Sequence, residues 1–79
     1  MKELIEFIAK SLVSHPEEIT VRQERHGNRV HIELRVPHEE MGHLIGKEGR
    51  VANAMRNLLR VVAARDGYQA TLDIIEQNE

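Results

Sequence analysis

The sequence predicts an α+β domain of two layers, with a three-stranded mixed sheet covered on one face by three helices. Three observations predict it. The apolar spacing changes along the chain between a helical period and strict alternation, in the order α-β-β-α-α-β. A hairpin signal, His26-Gly27-Asn28, joins the first two strand segments and makes them antiparallel. Two helical segments separate the second and third strands, which is long enough for a parallel crossover.

The first segment, KELIEFIAKSLV, places Leu4, Ile5, Ile8, Ala9, Leu12 and Val13 at helical spacing. Phe7 falls near the edge of that stripe and is expected in the core. Ser14, His15 and Pro16 stop the helix. Ile19 to Arg25 reads as a strand with Ile19 and Val21 inward. VHIELRV alternates strictly, with Val30, Ile32, Leu34 and Val36 on one face and His31, Glu33 and Arg35 on the other. One face of that strand is covered and the other solvated.

Pro37 ends the strand and suits the first turn of a helix. HEEMGHLI follows as a short helix, with Met41, Leu44 and Ile45 apolar and Glu39 and Glu40 at its positive end. Gly46 to Gly49 interrupts it. The longest helix then runs from Arg50 to about Arg65, with Gly67 as its C′ residue. On a helical wheel Val51, Met55, Leu58, Leu59 and Val62 form the core stripe. Asn53, Arg56, Asn57 and Arg60 lie on the solvated side. YQATLDIIE closes the chain as a strand, with Ala70, Leu72 and Ile74 on one face.

The 79 residues predict one domain, 1–79, without repeat or linker. A chain this short buries roughly 60–65% of its unfolded surface, so pairing would help it. There is no cysteine, which excludes disulfides and thiolate metal sites and points to a cytoplasmic home. No apolar run is long enough to span a bilayer, so no membrane partner is expected. The net charge of −2 argues against a strong general polyanion binder. The charge is uneven, however. Between Met41 and Asp66 stand Lys47, Arg50, Arg56, Arg60 and Arg65 against Glu48 and Asp66.

That basic segment begins at the glycine loop, Gly46-Lys47-Glu48-Gly49. A helix N-terminus offers unpaired N–H groups and partial positive charge. Glycines beside it let a phosphate approach the backbone with no Cβ in the way. Arg50 stands in the first helical turn, where a cation opposes the helix dipole; a bound phosphate reverses that sign. Arg50 and Asn53 lie nearest the loop. An ordinary helix–helix turn uses the same glycine spacing, so spacing alone leaves both readings open. The pattern is neither a Walker loop nor a dinucleotide fingerprint.

Residues 43–60, HLIGKEGRVANAMRNLLR, resemble the signature of KH domains, an aliphatic-Ile-Gly-x-x-Gly loop between two helices. The element order resembles the prokaryotic, type II form over nearly the whole chain, and most resembles the small stand-alone bacterial KH proteins of the KhpA type. The resemblance implies an RNA-binding protein in which the loop clamps the backbone of about four single-stranded nucleotides. It places Gly46, Lys47, Glu48 and Gly49 in the clamp, Ile45 in the groove or the core, and Arg50 just after. With Asn53, these are the candidate RNA-binding residues. Glu48 departs from the kinder neutral or basic residue at that position, so weak, salt-sensitive binding is expected. The resemblance further implies post-transcriptional regulation or RNA chaperoning. It also implies pairing, either with itself or with a larger KH-containing RNA-binding protein (KhpB, also called Jag). Val61, beside the core stripe with Ala54, is the candidate contact.

Other constellations are weaker. His26 with His31 and His38 with His43 lack the i,i+4 geometry of a helical zinc pair, so no metal is expected. Glu39 and Glu40 read as helix-start acids, and Glu17 and Glu18 as a solvated turn. No catalytic set, and therefore no enzyme or cofactor, is expected. The rival to RNA binding is a protein-interaction adaptor that keeps the fold and uses its helix surface.

Overall fold

The most regular stretch of sequence becomes the central strand. The computed structural model describes residues 1–77; Asn78 and Glu79, the end of the expected 1–79 domain, lie outside the described residues. β2 (Arg29–Pro37) lies between β1 (Thr20–His26) and β3 (Gln69–Gln77). β1 and β2 are antiparallel and close at His26 opposite Arg29, with Gly27 at φ +62° in the two-residue turn. β2 and β3 are parallel, with Val30 beside Ala70 and Ile32 beside Leu72. The inward side chains of neighbouring strands therefore fall in register.

Val30, Ile32, Leu34 and Val36 are buried, and α1 (Lys2–Leu12), α2 (His38–Ile45) and α3 (Arg50–Arg65) cover that face. Burying each such aliphatic side chain contributes about 1.5–3 kcal/mol. The opposite face stays polar and is tied across strands. His31 Nδ1 lies 2.7 Å from Thr71 Oγ1, and its Nε2 lies 3.3 Å from Asp73. Glu33 receives Arg22 at 3.9 Å and Arg35 at 3.3 Å. The architecture is the α+β, one-face-covered mixed sheet that the spacing predicts, in the order of a type II KH fold.

Two helices depart from their predicted faces. α1 buries Ile5 and Ala9, but Phe7 is 73% exposed and not in the core as expected. Two residues along a helix rotate by about 200°, so Phe7 points away from the sheet when Ile5 points into it. α3 buries Ala52, Met55, Leu59 and Ala63, whereas Leu58 is exposed and Val51 and Val62 are only half-buried. The buried stripe is rotated toward the two alanines, whose small side chains let the helix lie close to the sheet. The predicted stripe followed residue size instead.

α3 ends as expected. Gly67 takes φ +80°, its N–H donates to Ala64 O at 3.1 Å, and the Tyr68 N–H donates to Ala63 O at 2.8 Å. These are the paired bonds of a Schellman motif. Tyr68 is half-buried, and the Arg25 guanidinium sits 4.6 Å from its ring centroid.

Glu40 is more than a helix-start acid. It is 5% exposed, and its carboxylate accepts the backbone N–H of Ser14 at 3.2 Å and of His15 at 2.7 Å. His43 Nε2 lies 3.7 Å away. Burial opposes its ionisation, but the His15 and Ser14 donors outweigh it and hold the carboxyl below the usual range. Glu40 thereby ties the segment after α1 to α2, the helix that leads into the glycine loop. Glu39 remains exposed, as expected of a helix-start acid.

Candidate functional site

The loop is built by backbone conformation before any side chain acts. α2 ends at Ile45, and the Gly46 N–H closes it by donating to Gly42 O at 3.0 Å. Gly46 then turns to φ 77°, ψ 175°, a region open essentially to glycine. A Cβ there would meet Val51 Cγ2 at 2.4 Å and the Val51 N at 2.9 Å. The first residue of the motif is thus required by close approach to α3. Lys47–Gly49 forms one tight turn, closed by the Gly49 N–H to Gly46 O at 3.2 Å.

Glu48 and Gly49 both lie in the left-handed region, at φ 57° and φ 76°. Among the described residues Glu48 is the one non-glycine residue with positive φ. That conformation costs about 1–2 kcal/mol. The two middle residues, Lys47 and Glu48, are exposed at the tip, while Gly46 and Gly49 are half-buried at the base. Gly49 meets only Asn53 Nδ2, at 3.9 Å from an added Cβ, so it carries conformational and not steric need.

Directly after the turn, α3 begins without a side-chain cap and without an acid in its first turn. Its exposed first residue is Arg50. The positive end of a sixteen-residue helix thus carries Arg50 in its first turn and follows directly on a loop that holds Lys47, with Glu48 as the opposing charge.

The expected site residues separate into two flanks of α3. Gly49 and Asn53 adjoin on the flank that faces β3. Asn53 Oδ1 there accepts from Arg56 Nη1 at 3.5 Å, and Arg56 Nε donates to Leu72 O at 3.1 Å. Arg56, read from the wheel as a solvated side chain, is half-buried and bridges helix to strand. Nothing in the linear pattern pairs residue 56 with the carbonyl of residue 72; only its basic character marked it. Arg50 lies on the other flank, at the mouth of a shallow apolar groove of about 330 Å³ lined by Ile8, Leu12, Val51, Ala54 and Leu58. Ile45, the last residue of α2 before the loop, is half-buried.

Away from the loop, His15, Glu17 and Glu18 each place one ligand atom within 4.8 Å of the others on an exposed surface. No helix of the described residues is long and apolar enough to cross a membrane.

A type II KH fold whose Gly-x-x-Gly turn sits at the start of its longest helix defines a KH-domain protein. The family of KhpA/KhpB KH domains matches residues 2–74, and the chain belongs to that family. The protein RNA-binding protein KhpA of Halalkalibacterium halodurans is 42% identical over 76 residues, covering 96% of this chain and all of that relative. The Clostridium perfringens protein of the same name is 41% identical over 95% of this chain and all of the relative. That of Chlamydia muridarum is 42% identical over 98% of this chain and 99% of the relative.

Proposed function

We propose that this chain holds short single-stranded RNA, with the backbone of the strand clamped over Gly46–Gly49. The observation that carries the reading is the exposed two-residue tip between left-handed and glycine-only backbone, set on an uncapped helix start with Arg50. Lys47 and Arg50 stand near phosphates, Asn53 beside the clamp, and Ile45 below it. Glu48 keeps the affinity modest, and the phosphate contacts of Lys47 and Arg50 make it depend on salt. The name of the relatives, RNA-binding protein KhpA, supports the same reading.

The module acts as a binder without chemistry of its own, as one KH domain over residues 1–79, in the cytoplasm. Its role is in post-transcriptional regulation or as an RNA chaperone. Pairing with a second copy, or with the larger KH-containing protein KhpB (Jag), would give two weak sites joint avidity. Val61, 60% exposed, with Leu58 and Ala54 forms the apolar strip offered for that pairing.

The test is the double change Lys47→Asp with Glu48→Asp. RNA affinity is expected to fall at least tenfold at low salt with the circular dichroism unchanged; affinity within error of the original sinks the clamp. The apolar groove between α1 and α3 favours a second reading, an adaptor that binds protein through its helices. Lowering the salt tightens RNA binding steeply under the first reading and changes little under the second.

A further inference from the structure

The connection between α1 and β1 carries a group of side chains that the RNA reading leaves unused. It contains one 3₁₀ turn, Pro16–Glu18, closed by the Glu18 N–H donating to His15 O at 3.0 Å. Side chains three apart eclipse in such a turn, so His15 and Glu18 rise on the same side. Pro16 fixes the backbone between them. With Glu17 they bring three ligand atoms, one imidazole nitrogen and two carboxylate oxygens, within 4.8 Å of one another. Two ligand atoms of one zinc ion stand at most about 4 Å apart. All three side chains are exposed, so small rotations close the difference.

The surroundings call for a cation. Two clefts open beside the turn. One, of about 300 Å³, is lined by Ser14, His15, Glu18, Glu39, Glu40 and His43. Glu17, Glu18 and Glu39 line the other together with His38. No lysine or arginine lines either cleft. Among the described residues Glu17, Glu18 and Glu39 take part in no salt bridge. Buried Glu40 adds a further carboxylate, which the Ser14 and His15 N–H groups keep ionised. These acids repel one another with no lysine or arginine beside them to offset the charge. The bond to Glu40 also anchors the backbone of His15, from which the imidazole projects. We propose that His15, Glu17 and Glu18 bind one divalent ion of the zinc class, with water completing its shell. An imidazole joined to carboxylates suits zinc, whereas magnesium and calcium take oxygen ligands. The spacing of the histidines carries no sign of this site, because one imidazole suffices. A bound ion would neutralise the turn and brace the α1–β1 connection beside α2.

The experiment is isothermal titration of the untagged chain with zinc chloride, repeated in an excess of magnesium chloride. The expected result is saturable binding of one ion per chain that magnesium does not displace. His15→Ala and Glu18→Gln should each weaken it roughly tenfold or more, with circular dichroism unchanged, while His26→Ala should bind as the original does. In NMR of the unaltered protein, zinc should shift the imidazole signals of His15 and leave those of His26 and His31 in place. Absence of saturable zinc binding overturns the proposal, as does undiminished binding by folded His15→Ala. Displacement of zinc by magnesium also overturns it, since the acids would then act only as a negative surface. So does a shift confined to His26 or His31. The magnesium and NMR arms need no altered protein, so a poorly folded variant does not shield the idea.

Discussion

A Cβ added to Gly46 would sit 2.4 Å from Cγ2 of Val51, so the first glycine of the loop exists to let α3 start against the end of α2. Gly49 has no such neighbour, although its φ of 76° is as positive. Gly46→Ala is therefore expected to destabilise the fold by about 2–4 kcal/mol, from strain and overpacking together. Gly49→Ala should cost about 1–2 kcal/mol from conformation alone. Urea unfolding of the two variants checks the order; equal losses would show that the Val51 contact does not matter.

Glu48 combines a strained backbone with an unhelpful charge. Asparagine tolerates the left-handed region better and is neutral. Glu48→Asn should raise stability by about 0.5–1 kcal/mol and tighten RNA binding roughly two- to fivefold at low salt. Thermal unfolding and anisotropy measure the two effects separately. Weaker RNA binding by a more stable protein would mean that the acid itself contacts the strand.

Glu40 predicts a pH signature. Its folded pKa is depressed, so its stabilisation is complete above the ordinary carboxyl pKa, about 4.3, and is lost as the pH falls through the lower folded value. Glu40→Gln should lower Tm by roughly 5 °C or more at pH 7, because the Ser14 and His15 N–H groups lose a charged acceptor. The gap between the two proteins should close below about pH 4. A gap that stays constant down to pH 2.5 would contradict the linkage.

His38 behaves with the opposite sign. Its Nδ1 lies 2.6 Å from Glu76 Oε1, and that hydrogen bond, reinforced by the charge of Glu76, raises its pKa. The pair contributes fully below the ordinary histidine pKa of about 6.5, while Glu76 is still ionised, and its contribution is lost as the pH rises through the raised folded value. In an NMR titration, Glu76→Gln should return His38 toward 6.5. An unmoved titration would place the cause elsewhere.

Val61→Asp tests the pairing. Sedimentation at high concentration is expected to find the original as a dimer and the variant as a monomer, with unchanged circular dichroism. An unchanged mass would move the interface away from this strip of α3.

Much of the fold was legible because periodicity is local. Strict alternation in VHIELRV required one covered face, and β2 buries those four residues. The loop was legible too, since glycine at both ends of a break between helices marks positive φ, which Gly46 and Gly49 adopt. Glu48 was readable as a charge but not as a strained residue, since no side chain announces that its backbone will turn left-handed.

What the sequence by itself determined is the element order, the inward face of each strand, the hairpin and the position of the glycine turn. Each follows from contacts within a few residues. Only the tertiary structure decided that α3 rolls onto Ala52 and Ala63. It also decided that Glu40 is buried under the Ser14–His15 backbone and that Arg56 reaches the Leu72 carbonyl. These relationships join residues 16 to 26 positions apart or depend on how closely a helix approaches a sheet. Such distances are set by the packing of the whole core, which no local pattern encodes.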